Sequence, residues 1–146
     1  MELDADELVK VKAVLEKLDF YEYLHPSELD QLMNGFEKRS VSKGETLITQ
    51  GKTGEIFYIL ASGKVGIYLK RQIADKLVAA LGPNSYFGEM SLISDEPRSA
   101  SVICEEDGIV YTLLRDSFRK VIMGNPRISD MIRKEASRRK HETHTI

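Results

Sequence analysis

The chain has 146 residues, a single cysteine and 21 basic against 23 acidic side chains, for a net charge of -2. That length buries a core without disulfides or a structural metal, and the charge balance excludes a chain-wide bias towards nucleic acid or an anionic membrane surface. The lone Cys104 excludes an intramolecular disulfide, and the longest uncharged stretch, LVAALGPNSYFG at 77–88, is too short and too broken by Gly82 and Pro83 to span a bilayer.

From Asp4 to about Leu18, the residues Leu8, Val11, Val14, Leu15 and Leu18 recur at helical spacing, and Asp4 with Glu7 three residues on makes a capping box. A second short helix is predicted from about Ser27 to Asn34, with Pro26 in its first turn, Leu29, Leu32 and Met33 on one face, and Gly35 as its stop. From about Glu37 to Leu114 the texture changes to that of a sheet. Runs such as EIFYILASGKVGIYLK, KLVAAL, SASVIC and GIVYTLL are rich in Val, Ile, Tyr and Thr and are punctuated by glycine, which predicts seven or eight strands in a sandwich or roll. ASGK, between two apolar runs, reads as a hairpin. Helical spacing returns after Arg115, where Asp116 is the expected cap of a helix carrying Phe118, Val121, Ile122 and Met123. Gly124 ends it, and Asn125-Pro126 restarts a last helix with Ile128, Met131, Ile132 and Ala136 on one stripe. The fold class is therefore α+β, with helices, a β body and two more helices. The expected organisation is a helical linker over 1–24, the β-roll over 25–124, and a final helix and tail over 125–146.

Gly51-Lys52-Thr53 matches the end of a phosphate-binding P-loop, but Thr46 stands where an earlier glycine is required, and a strand pattern follows instead of a helix. FGEMSLISDEPRSASV, residues 87–102, is more informative. Gly88 can turn the chain, Glu89 to Ile93 allow about one helical turn, and Pro97 forces Glu96 towards extended geometry. A helix start and the planar fork of Arg98 suit phosphate oxygens, whereas Glu89 beside an anion needs a neutral hydroxyl to bond. A sugar hydroxyl next to a phosphate meets both demands. The bland alternative, a solvated Glu89–Arg98 ion pair, is worth only ~0 to 1 kcal/mol and leaves the framing by Gly88 and Pro97 unexplained.

These residues resemble the phosphate-binding cassette of cyclic nucleotide-binding domains, and KGETLITQGKTGEIFYILASGKVGIY resembles the early strands of the same β-roll. The resemblance covers about residues 19 to 123 and includes Gln50-Gly51, Gly54, Ser62-Gly63, Tyr86 to Glu89 and Pro97 to Ala100. It implies an antiparallel jelly roll holding a 3',5'-cyclic nucleotide, with a C-terminal helix as a lid and no further cofactor or metal. By the same resemblance, Gly88, Glu89 and Met90 would serve the ribose, and Arg98, Ser99 and Ala100 the phosphate. Ile67, Ala79 and Tyr86 would lie near the base pocket, and Arg139 would reach the base from the lid. Cyclic AMP is the favoured ligand, with cyclic GMP as a second.

No nucleophile elbow, Cys-His pair or acidic metal cluster points to catalysis, so a sensor is expected and not an enzyme. The HETH segment at 141–144 lacks the spacing of a zinc site. The ending PRISDMIRKEASRRK and the cassette are most similar to cytoplasmic domains of prokaryotic cyclic nucleotide-gated potassium channels. That likeness implies a cytoplasmic gating domain, monomeric as an isolated fragment and tetrameric within a full-length channel, meeting the membrane only through a pore encoded elsewhere. A stand-alone soluble signalling module is the second expectation, and no nucleic-acid partner is expected.

Overall fold

The computed structural model describes residues 2–71 and 75–141, with side chains as far as residue 134. The chain begins with α1 (Ala5–Leu15), a 3-10 turn (Tyr21–Tyr23) and α2 (Pro26–Asn34). The strands β1 (Glu37–Val41), β2 (Thr46–Ile48), β3 (Ile56–Ser62), β4 (Val65–Leu69), β5 (Lys76–Leu81) and β6 (Tyr86–Phe87) follow. A single helical turn, α3 (Met90–Ile93), separates these from β7 (Ser101–Cys104) and β8 (Gly108–Leu114), and α4 (Arg115–Ile122) and α5 (Pro126–His141) complete the chain. The strands form two antiparallel four-stranded sheets, in the orders β1-β8-β3-β6 and β2-β7-β4-β5, stacked as a jelly roll.

Strand β3 shows why the layers stack as they do. Its residues Phe57, Tyr58, Ile59 and Leu60 are all buried, which needs cover on both faces of a strand whose side chains alternate. Phe57 and Ile59 enter a core shared with the helices, together with Tyr111 and Leu113 of β8. Tyr58 and Leu60 enter a second core between the sheets, against Val65, Phe87, Val102 and Val110. The molecule is thus three layers deep, helices on sheet on sheet.

The turn at ASGK differs from the expected hairpin. β3 pairs with β8 and β6 whereas β4 pairs with β7 and β5, so Ser62-Gly63-Lys64 carries the chain from one sheet to the other. Both neighbours of β3 are already taken, which leaves β4 no place beside it. Gly63, at φ 92°, lies so near the β7–β8 turn that a Cβ would sit 2.8 Å from the Asp107 carbonyl oxygen. Only glycine meets both demands.

The N-terminal residues expected as a linker pack as part of the domain. Val11, Val14, Leu15, Leu18 and Phe20 join the helical core with Phe118, Ile122 and Ile128. The Asp4–Glu7 capping box forms as the spacing predicts. α4, in contrast, starts without the cap expected from Asp116: the chain enters it directly from β8, and the Arg115 amide donates to the Glu55 carbonyl at 2.8 Å. α5 is capped by Asn125, whose Oδ1 accepts from the Ile128 amide at 3.1 Å. The Asn125 amide nitrogen donates to the Tyr23 carbonyl and to Glu28 Oε1, each at 2.8 Å, and Glu28 also accepts from the His25 amide at the start of α2. Two helix starts are therefore bonded to one another inside the protein. Among the described residues no helix is long and apolar enough to cross a membrane.

Glu7 fastens α1 to the sheet. It accepts from the Asp4 amide at 2.9 Å, pairs with Lys38 Nζ at 2.9 Å and receives the Tyr111 hydroxyl at 3.3 Å. The Asp4 amide and then the Lys38 ammonium hold its carboxyl below the usual 4.5. Burial and then the Glu7 carboxylate push the Tyr111 phenol up to about 12. A depressed folded-state value means stabilisation that is complete above the unfolded value and lost as pH falls through the folded one. Thermal melts from pH 6 downwards should therefore show Glu7 supporting α1 down to about pH 4.5 and losing that effect below it. Glu7→Gln should be less stable near neutrality and show a shallower acid limb.

Candidate functional site

The stretch FGEMSLISDEPRSASV folds against β3. Strand β6 places Phe87 between the sheets, and Gly88 then turns the chain at φ 78°. A Cβ at residue 88 would lie 2.8 Å from the Ile56 carbonyl oxygen and 3.2 Å from Ile48 Cδ1, so a side chain would force the turn away from β3. In α3 the buried Ser91 donates its hydroxyl to the Ile56 carbonyl at 3.0 Å and lies against the Gly88 carbonyl. Leu92, facing the other way, enters the helical core. Ser94 stops the helix, and its Oγ accepts from the Glu96 amide at 3.1 Å.

Arg98 is then fixed through its backbone. Its amide donates to the Lys52 carbonyl and its own carbonyl accepts from the Gly51 amide, both at 2.8 Å, while Thr53 and Pro97 form an isolated bridge. The loop containing Gly-Lys-Thr is therefore a brace for Arg98. It leads into β3 and not into a helix, as the strand pattern after it required. The Arg98 side chain lies across Gly54, where a Cβ would come within 2.9 Å of Arg98 Cδ and 3.2 Å of Nε. The absence of a side chain at 54 makes the seat in which the guanidinium stem rests.

Between these segments lies a cavity of about 260 Å³. It is lined by apolar side chains of Ile48, Ile67, Phe87 and Val102, by Gly88, Glu89 and Met90 at the start of the cassette, and by Pro97, Arg98, Ser99 and Ala100 at its end. Seven of the residues singled out in the sequence, Ile67, Gly88, Glu89, Met90, Arg98, Ser99 and Ala100, thus converge. Glu89 and Arg98 are half-buried and Ser99 is exposed.

Two expected residues stand elsewhere. Ala79 is opposite Ile67 in the register of β4 and β5, but it is exposed and outside the lining, because β5 is the edge strand of its sheet. Tyr86 points away from Phe87, as successive strand residues do, and packs edge-on to Phe57 with centroids 6.1 Å apart. It lines a separate cavity of about 140 Å³, shared with Phe20 and Met131, behind α3. Arg139 and the HETH segment lie outside the residues whose side chains are described. The expected lid stripe packs inwards, with Ile128 fully buried and Met131 and Ile132 at the edge of the helical core. None of the described α5 side chains lines the larger cavity.

Ile48, Phe87 and Val102 were not named as site residues from the sequence, and Pro97 was read only as shaping the loop. Strand alternation carries a signal for Phe87 and Val102, whereas Ile48 reaches the lining only through pairing of β2 with β7. The site offers a carboxylate, a guanidinium and a hydroxyl together with apolar side chains, which suits a ligand with an anionic group, a hydroxyl and a flat apolar part.

A family model of the cyclic nucleotide-binding domain matches residues 38–125, which contain every residue lining this cavity. The chain belongs to that family. Among curated relatives, the cyclic AMP receptor protein of Thermus thermophilus is 32% identical over 120 residues, covering 82% of this chain and 56% of that one. The cAMP-dependent protein kinase regulatory subunit of Eremothecium gossypii is 30% identical over 81% of this chain and 25% of its own length. The chain therefore spans about half, or less, of the length of these relatives. Among solved structures, the cAMP-bound PfPKA-R fragment 141–441 superposes with a TM-score of 0.76 at 25% identity, over 97% of this chain and 48% of that one. The Thermus thermophilus catabolite activator protein superposes with a TM-score of 0.59 at 32% identity, over 80% and 55% respectively.

In this cyclic nucleotide-binding domain the cassette turn depends on Gly88. Gly88→Ala combines a left-handed backbone with a Cβ directed at a backbone oxygen that cannot yield, and should destabilise the fold by about 2 kcal/mol or more. Chemical denaturation measures this, and a loss well below 1 kcal/mol would show that the turn relaxes at little cost.

Proposed function

We propose that the 260 Å³ cavity binds a 3',5'-cyclic nucleotide and that this domain is a sensor for it. The observation that carries the reading is that Glu89 and Arg98 line one cavity together with the apolar side chains of Ile48, Ile67, Phe87 and Val102. Arg98 pairs with the cyclic phosphate, and Ser99 and the main chain at Met90 and Ala100 add donors around it. Glu89 accepts from the ribose 2'-hydroxyl, which lets a carboxylate sit near an anion without facing it. The base lies towards Ile67 and the open edge at Ala79, where β5 leaves an apolar surface accessible. Cyclic AMP is the preferred ligand and cyclic GMP the second, from the Arg-Ser-Ala sequence of the cassette and from relatives named for cyclic AMP. Because no described α5 side chain lines the cavity, ligand can reposition α5 only through contacts that differ between two arrangements of that helix. Arg139 is the residue proposed to make them.

The output reading is the gating of a potassium channel, supported by the likeness of the cassette and of PRISDMIRKEASRRK to channel domains. In it, displacement of α5 passes to a pore outside residues 1–146. A soluble module acting through a protein partner is the second reading. It is favoured by relatives named as a cyclic AMP receptor protein and a cAMP-dependent protein kinase regulatory subunit. The coding sequence upstream of residue 1 separates the two, since a channel needs several apolar spans there.

Calorimetry with cyclic AMP and cyclic GMP tests the binding itself. Both should give saturable heat with one site per chain, and no heat and no thermal shift at millimolar ligand would refute it. Arg98→Leu removes a charge-assisted hydrogen-bonding pair worth ~1.5 to 3 kcal/mol and should weaken binding roughly ten- to a hundredfold.

A further inference from the structure

We propose that Arg115 is a positioning residue for ligand binding, tying together from outside the two segments that hold Arg98. This rests on the reading above, in which Arg98 takes the phosphate. Arg115 opens α4, and its side chain is only 17% exposed. Its Nη1 donates to Asp95 Oδ1 at 2.9 Å, in the turn between α3 and Arg98. Its Nη2 lies 3.8 Å from Glu55 Oε1, and its amide donates to the Glu55 carbonyl at 2.8 Å. Glu55 directly follows Gly54, the seat of the Arg98 side chain. One guanidinium thus spans the cassette and the brace, the same two segments that the Arg98 backbone joins from inside.

Arg119, one turn further along α4, reinforces the cassette end. Its Nη2 is 3.5 Å from the same Asp95 oxygen, and its Nε donates to the Leu92 carbonyl at 3.3 Å, at the last turn of α3. One consequence follows from the geometry: the planar fork of an arginine can bridge two carboxylates whereas a lysine ammonium acts at one point, so the bridge depends on arginine at 115. Arg115 is not among the residues that line the cavity, so its effect on ligand passes through Arg98.

A double-mutant cycle on cyclic AMP affinity tests this. Arg115→Gln should weaken binding by about fivefold, Arg115→Lys by about half as much, and Asp95→Asn by about threefold, since neighbours in one network couple while distant sites add. In an Arg98→Leu background, each of these changes should move the remaining affinity by less than about 1.5-fold. The Asp95→Asn loss should also shrink in 1 M salt, where the screening length falls to about 3 Å. Asp95 is 70% exposed, so its variant folds even if Arg115→Gln does not. Equal losses in the two backgrounds, or no loss in either, would overturn the proposal. An Arg98→Leu protein that binds like the parent would overturn the phosphate reading, and this one with it.

Discussion

Strand β3 is apolar on both faces, and the rest of the molecule is arranged to keep it covered. Phe57 and Ile59 require a helical layer on one side, and Tyr58 and Leu60 require a second sheet on the other. Covering ~25 cal/mol of free energy per Å² of such surface is the dominant favourable term in folding. The site depends on the same strand. The Ile56 carbonyl receives Ser91 and limits residue 88 to glycine, while Gly54 and Glu55, just ahead of the strand, seat Arg98 and receive the Arg115 amide. A ligand cavity attached this way inherits the rigidity of the best-packed element.

Glu89 and Arg98 are close in sequence, yet their relative position is not set by the segment between them alone. Glu89 follows a left-handed turn against β3, and Arg98 is held by two backbone hydrogen bonds to residues nearly fifty positions earlier. The intervening residues look outwards and inwards in turn: Leu92 to the helical core, Ser91 to β3, Asp95 to the arginines of α4. Each wall of the cavity is therefore supported by an element that contributes nothing to its lining. Electrostatics follow the same division, with Asp95 in the acidic turn paired with Arg115 and Arg119 of α4.

The helical layer is tied together as closely as the sheets. Asn125 caps α5 and bonds Glu28, which in turn bonds the start of α2, and Arg127 lies over the Tyr23 ring at 5.5 Å. The first turn of α5 is thus held by the N-terminal helices, with Ile128 fully buried beneath it. A buried amide with all its partners present resists displacement, because losing one leaves an unsatisfied polar group. Residues before the β-roll are therefore structural members of this domain and not merely a tether.

The sequence alone determined the elements and their chemistry. The β-branched and aromatic run EIFYIL, helical spacing in Val11, Val14 and Leu15, and the Gly-Glu and Pro-Arg-Ser motifs of the cassette are local signals, legible because strand composition, side-chain period and turn geometry are properties of a few adjacent residues. The convergence of Glu89, Arg98, Ser99 and Ile67 on one cavity was legible through likeness to a family. Pairing partners were not, so ASGK was read as a hairpin although it changes sheets, and the strand pattern after Gly-Lys-Thr gave no sign that its loop braces Arg98. Tyr86 was misplaced for a related reason: its side of β6 is decided by which face of β3 the helices occupy. Only the tertiary structure decided these points, because hydrogen bonds between distant strands and the direction of burial depend on the whole set of layers competing for cover, which no short stretch of sequence encodes.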